Sequence, residues 1–232
     1  MDDITGKALL DYYYHRRPSK LWIHNTYGPK EEMPLGVYFR TEADMPEMEL
    51  TALQLCKGRV LDVGAGAGCH SLVLQDSGLS VTSLEISPGA VSVMQDRGVN
   101  NIVNADFFTF SETGFDTVLL LMNGIGLAQT LDGFDRLLKH AEKLLAPGGQ
   151  LLFDSSDIAY LYEDGMPEKG DYYGEMQYAY EYKKQKGEWF KWLYIDQETM
   201  KKRAGKLGWD CIIIEEDEYD QYLAKLVKSN KK

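Results

Sequence analysis

Hydrophobic positions fall into short runs separated by Gly, Pro and polar clusters, and their periods predict the elements. Residues 2–15 have the spacing of one amphipathic helix, stopped by Pro18. His24-Asn25-Thr26-Tyr27-Gly28-Pro29 and Met33-Pro34-Leu35-Gly36 read as turns. Residues 45–56 read as a helix after Asp44, with Pro46 in its first turn. Strands and helices then alternate. Residues 59–63 form a first strand, a Gly-rich turn follows, and residues 69–76 form a helix closed by Gly78. Residues 80–85 are the second strand. Ser87 caps the next helix, Pro88 opens it and Gly98 ends it. Residues 101–105 are the third strand. Residues 115–122 are a continuous apolar run, as expected of a strand covered on both faces. Phe134, Leu137, Leu138, Ala141 and Leu145 carry the helical period of residues 131–145, which Pro147-Gly148-Gly149 stops. Residues 150–154 are the fifth strand. This alternation predicts an α/β fold, a parallel sheet with helices on both faces.

Beyond residue 156 the pattern turns β-rich. Residues 176–182 and 188–195 flank Lys186-Gly187 as a hairpin, residues 197–207 read as a helix ended by Gly208, and residues 211–215 with 222–227 form a second hairpin. The expected organisation is an N-terminal cap or lid over residues 1–44 and a main domain over 45–232. A β-rich insertion occupies about 157–195 of that domain. A long irregular segment beside a compact core suits a lid or binding loop.

Composition narrows the function classes. The chain has 232 residues, 44% hydrophobic and 26% charged, which excludes a wholly disordered or collagen-like protein. Lys and Arg total 25 against 36 Asp and Glu, a net charge of −11, which counts against a nucleic-acid substrate. Cys56, Cys69 and Cys211 are scattered, without a CxxC pair or zinc-ligand spacing, so no metal is expected. A reducing compartment fits them. The N-terminus lacks a basic-then-apolar signal pattern, and the longest strongly apolar stretch, residues 118–122, is far short of a membrane span. The expectation is a cytoplasmic protein with no membrane partner. Its oligomeric state is not legible.

Candidate chemistry gathers where the first three strands end. Asp62-Val63-Gly64-Ala65-Gly66-Ala67-Gly68 delivers an acid and a three-glycine turn onto a helix, where glycine permits positive φ and close approach of a ligand. The exposed amides at such a helix start attract anionic groups. Glu85, closing the second strand, is placed to accept hydrogen bonds from ribose hydroxyls. Asp106, closing the third, is followed by Phe107 and is placed for the edge and face of an adenine. Together they describe a nucleoside pocket. A dinucleotide dehydrogenase would want G-x-G-x-x-G. This chain's pattern ends one residue early and places Asp62 where a pyrophosphate would be repelled, whereas a nucleoside bearing an amino acid is tolerated there.

On these residues the chain resembles the class I S-adenosylmethionine-dependent methyltransferase family over about residues 45–155. The glycine motif, Glu85, Asp106 with Phe107, and Leu144-Leu145-Ala146-Pro147-Gly148-Gly149 occur in the family's order. The resemblance implies a Rossmann-like seven-stranded, mostly parallel sheet of order 3-2-1-4-5-7-6 with strand seven antiparallel. It implies S-adenosylmethionine as cofactor. The site it implies comprises Asp62, Gly64, Ala65, Gly66, Gly68, Glu85, Ile86, Asp106, Phe107 and, after strand four, Asn123. The expected activity is methyl transfer to a small molecule. A protein or nucleic-acid acceptor and a non-catalytic cofactor-binding module are the alternatives. The Leu121-Met122-Asn123-Gly124 stretch departs from the Asn-Pro-Pro-Tyr type used on base and glutamine nitrogen.

No residue has the spacing of a diagnostic base. His24, Asp154 and Asp157 are candidates, and His70 reads as a packed helix residue. Tyr12, Tyr13, Tyr14, Trp22, Tyr27, Tyr38 and Phe39, with Tyr160, Tyr162, Tyr172 and Tyr173, are candidates for a substrate wall or for packing of the flap. Arg16, Arg17 and Arg40 are candidates for holding a substrate anion or for solvated surface.

Overall fold

The computed structural model describes residues 3–162 and 172–229. Part of the expected insertion, residues 163–171, and the chain ends lie outside the described residues. The N-terminal part runs α1 (Ile4–Tyr13), β1 (Leu21–His24), β2 (Glu31–Met33) and α2 (Glu47–Leu55). The central part runs β3 (Arg59–Val63), α3 (Cys69–Asp76), β4 (Ser80–Glu85), α4 (Pro88–Asp96), β5 (Ile102–Asn104), β6 (Phe115–Leu120), α5 (Leu131–Leu144) and β7 (Leu145–Ser156). The chain ends with β8 (Glu175–Tyr182), β9 (Gln185–Lys186), β10 (Phe190–Leu193), α6 (Gln197–Lys206), β11 (Trp209–Glu216) and β12 (Gln221–Lys228).

Seven strands form the large sheet in the order β5-β4-β3-β6-β7-β12-β11. Counted along the core this is 3-2-1-4-5-7-6, as the resemblance implies. β12 runs antiparallel to β7, with Leu223 opposite Asp154, and the five strands β3 to β7 are parallel. Alternation along β3 sends Leu61 and Val63 to a core with Phe134, Leu137 and Leu138 of α5 and Met200 of α6. It sends Val60 to the opposite core, with Ala52 and Leu53 of α2 and Leu74 of α3. β6 is apolar on both faces because it lies between those two layers. Thr130 caps α5 by accepting from the Gly133 amide, and Ser87 caps α4 by accepting from Ala90. Among the described residues no helix is long and apolar enough to cross a membrane.

A second sheet has the order β10-β8-β1-β2, with β9 also on β8. Here the structure adds to the sequence reading. The segment read as two turns contains β2, and β1 pairs antiparallel with β8, Ile23 opposite Tyr180. The N-terminal segment and the insertion therefore build one roof. Helix α1 anchors it. The Asp3 carboxylate caps α1 through the Gly6 amide and also accepts from Ser87 Oγ and the Gly89 amide at the start of α4. The helices cross so closely at Gly89 that a Cβ there would stand 2.7 Å from the Gly6 backbone.

Candidate active site

Parallel register brings the predicted residues to one rim. Val63 pairs with Leu84 and Glu85 with Asn104, so the chain leaves β3, β4 and β5 side by side at their carboxyl ends. The amides of Gly64 and Ala65 donate to the Leu84 carbonyl, at 2.8 and 3.2 Å, and the Gly66 amide donates to Glu85 Oε2 at 2.8 Å. Glu85 Oε1 accepts from the Ser87 amide, and the Glu85 carbonyl accepts from Asn104 Nδ2 and the Ala105 amide. Glu85 thus stitches three loops together. Burial raises its carboxyl above the ordinary value, against the pull of those amides.

The three glycines do different work. All have φ between 56° and 80°. Among the described residues a Cβ at Gly64 would meet nothing within 4 Å, so this position faces open space. At Gly66 it would stand 3.1 Å from the Tyr38 ring, which descends from the roof, and at Gly68 it would stand 2.8 Å from Val99. Gly68 therefore serves packing, and Gly64 serves the rim.

Asp62 is buried and accepts from Ser71 Oγ at 2.6 Å, which ties the loop to α3. Burial pushes its carboxyl up. Asp106 caps its own turn by accepting from the Phe108 amide. The Phe107 ring is buried, edge-on to His140 at 4.9 Å. Ile86 presents the apolar surface instead, 63% exposed beside Glu85.

After β6 the backbone turns left-handed at Met122 (φ 58°) and Asn123 (φ 53°). Asp154 holds this turn: both of its oxygens accept from the Asn123 amide at 2.9 Å, and Gln221 Nε2 donates to it as well. Burial pushes the Asp154 carboxyl up to about 6 despite these donors. Asn123 Nδ2 donates to the Leu193 carbonyl of the roof, while Asn123 Oδ1 is buried without a partner among the described residues.

The candidate bases are engaged elsewhere. His24 sits 2.6 Å from Glu181 in the roof sheet, and Asp157 accepts from the Tyr173 hydroxyl and the Ala159 amide. His70 and Arg40 both bond Glu49, at 2.7 and 2.6 Å, in a buried triad joining the end of the roof segment to α2 and α3. Burial opposes charge on both His70 and Glu49. Bonds to Cys69 and Glu49 outweigh it at His70 and raise the imidazole, while His70 and Arg40 together outweigh it at Glu49 and lower the carboxyl. Arg40 is thereby assigned to this triad rather than to a substrate anion. Arg16 lies over the Tyr14 ring.

Two groups escape a reading of the sequence alone. Trp192 lies on the turn after β6, so that a Cβ at Gly126 would fall 2.1 Å from its ring nitrogen. Tyr178 and Tyr180 are the second group, although tyrosines at every second position of β8 form a visible period-two signal.

The methyltransferase domain family matches residues 61–153, which run from β3 to β7 and take in the rim from Asp62 to Asn123. A solved S-adenosylmethionine-dependent methyltransferase from Bacteroides fragilis, in complex with S-adenosylhomocysteine, is 39% identical. It covers 98% of this chain, with 95% of its own length matched and a TM-score of 0.91. The cypemycin N-terminal methyltransferase of Streptomyces sp is 32% identical over 43% of this chain and 42% of its own length. The glycine N-methyltransferase of Rattus norvegicus is 30% identical over 50% of this chain and 46% of its own. The chain thus spans less than half the length of these two curated relatives. With near-complete coverage at 39% identity, the chain belongs to the S-adenosylmethionine-dependent methyltransferases, and its methyl donor is S-adenosylmethionine.

Proposed function

We propose that this enzyme transfers the methyl group to a small-molecule acceptor held between the turn after β6 and the roof sheet. The residues of the rim fit the cofactor. Gly64 leaves room for its backbone approach, and Glu85 retains lone pairs for ribose hydroxyls. Ile86 and Asp106 flank an adenine. The partnerless Asn123 Oδ1 offers an acceptor to an ammonium group. Asp62, Ala65 and Gly68 shape the loop, and Phe107 anchors its end.

When bound, S-adenosylmethionine supplies an already activated methyl group. The chain's work is to hold a nucleophile in line with it, a contribution of up to roughly 7–11 kcal/mol. Excluding water is the second task, since dispersal of charge from sulfur is favoured in a dry pocket. Tyr38 and Trp192 do this by closing the roof onto Gly66 and Gly126. With His24, Asp154 and Asp157 each committed to another bond, no general base is assigned.

The observation that carries the small-molecule reading is the roof itself. A rim covered by a second sheet admits a compact acceptor more readily than a folded protein or a duplex, and the charge of −11 opposes a phosphate backbone. The name of one curated relative, a glycine N-methyltransferase, supports a small acceptor. Incubation with methyl-labelled cofactor and a fractionated cell extract tests it. Label in the low-mass fraction is expected, with the product identified by mass. Label confined to protein or RNA overturns the reading.

A further inference from the structure

The inner face of the roof carries a chemistry that narrows the acceptor class, an inference that rests on the small-molecule reading of the same site. Antiparallel register places Tyr178 and Tyr180 on the same side as their partners Phe190 and Ile23, and Ile23 in turn faces Glu31. Tyr27 donates to Glu31 Oε1 at 3.1 Å, and its ring stands edge-on to Tyr178 at 6.4 Å. The Tyr178 hydroxyl reaches that of Tyr194 at 3.5 Å. Burial pushes up the Tyr194 phenol, helped by Tyr160 and by the carboxylates Glu31 and Asp154. Burial likewise raises Tyr180, with Tyr194 and then Glu85 adding to it. Phenols therefore run from Glu85 on the floor to the exposed Glu31.

The cations of these strands are on the other side. Lys20 pairs with Glu32, Lys30 with Glu181, and Lys191 with Glu175, carboxylates whose register puts them on the face opposite the tyrosines. Arg97 is tied to the carbonyls of Tyr38 and Ala67. An anionic acceptor would therefore meet Glu31, the buried Asp154 and the negative faces of aromatic rings. A cation meets attraction from all three. The net charge of −11 steers cations toward this surface as well.

We propose that the acceptor is an amine, recognised as its cation by the tyrosine rings and by Glu31 as the specificity-determining carboxylate. The amine gives one proton to water. Its freed lone pair forms the bond to the methyl carbon as the carbon–sulfur bond breaks and its electron pair stays on sulfur. The neutral nitrogen takes on the positive charge that sulfur loses, and the proton released beforehand stays with water, so methyl, proton and charge balance.

The test reads binding rather than turnover. Calorimetry is done on the full chain saturated with S-adenosylhomocysteine, using phenethylamine, phenethyl alcohol and phenylpropanoate as probes. Phenethylamine is expected to bind about tenfold or more tighter than phenylpropanoate, with the neutral alcohol between them. Glu31→Gln is expected to erase most of that preference and leave S-adenosylhomocysteine affinity unchanged. Tyr27→Phe, which removes only the hydroxyl on Glu31, is expected to keep the preference. Equal or tighter binding of phenylpropanoate overturns the proposal, as does a preference that survives Glu31→Gln. Failure of S-adenosylhomocysteine itself to bind overturns the site reading, and the amine proposal with it. Retained cofactor binding without amine preference overturns the amine proposal alone.

Discussion

The large sheet and the roof approach the same space with opposite materials. The rim of the large sheet works through backbone amides and buried carboxylates. Glu85 is locked by two amides and Asp154 by one amide and Gln221. The roof works through side chains, chiefly phenols, whose contacts are ring edges and a 3.5 Å hydroxyl pair. A backbone cradle suits a ligand that never changes. A layer of side chains can be altered without disturbing the fold beneath it. On the function proposed above, this difference goes with a cofactor held by the floor and an acceptor chosen by the roof.

The largest expected effect falls where the regions join. Glu49 compensates two cations, the half-buried Arg40 of the roof segment and the buried His70 of α3. Glu49→Ala leaves both uncompensated, and about 3–5 kcal/mol of stability is expected to go, read by urea unfolding. A loss below about 1 kcal/mol would mean that the triad does not couple roof to floor.

Asp154 tests the floor through pH. Its folded pKa, about 6, lies above the ordinary 3.8. The folded chain therefore takes up this proton before the unfolded chain does. Asp154 opposes folding above pH 6, and that opposition fades as pH falls from about 6 to about 4. The shift corresponds to roughly 3 kcal/mol at most. Relative to Asp154→Asn, the parent protein is expected to gain stability over that window. Parallel pH profiles for the two would show that the carboxyl is not held in this buried state.

These two cases also show how far the sequence alone reaches. The glycine turn and Glu85 follow from local patterns, a strand, a turn and a helix within a few tens of residues, whereas the strand order is implied only by the family resemblance that those patterns carry. Asp154 is visible as an acid at a strand end, but its partner Asn123 comes from another strand, and that pairing turns a candidate base into a fastener. Phe107 is legible as an aromatic after an acid, yet its ring direction depends on His140 of α5. The roof is hardest, because β1 and β8 meet across about 157 residues of chain, as at His24 and Glu181. No local period announces such a pairing, and β2 is only three residues long.

Next in size is the floor's ribose acid. Glu85→Ala removes the charged acceptor for hydroxyls and orphans the Gly66 and Ser87 amides. Affinity for S-adenosylhomocysteine is expected to fall by about 1–3 kcal/mol, measured by calorimetry. An unchanged dissociation constant would remove Glu85 from the site, and the floor would lose its claim on the cofactor.

The smallest change sharpens the comparison most. Tyr178→Phe keeps the ring and its contacts with Tyr27, Phe190 and Tyr194, and deletes one hydroxyl. That hydroxyl makes a long bond of 3.5 Å, at the outer limit of useful geometry, so stability is expected to move by about 0.5 kcal/mol or less. Burial already keeps the phenol well above its ordinary pKa, so no charge is lost with it near neutral pH. Its removal still alters the polar line between Glu31 and the turn after β6. The acceptor's KM is therefore expected to change while cofactor affinity stays fixed. Were S-adenosylhomocysteine affinity to shift as far as the acceptor's KM, floor and roof would share one ligand, and the division of labour between them would be false.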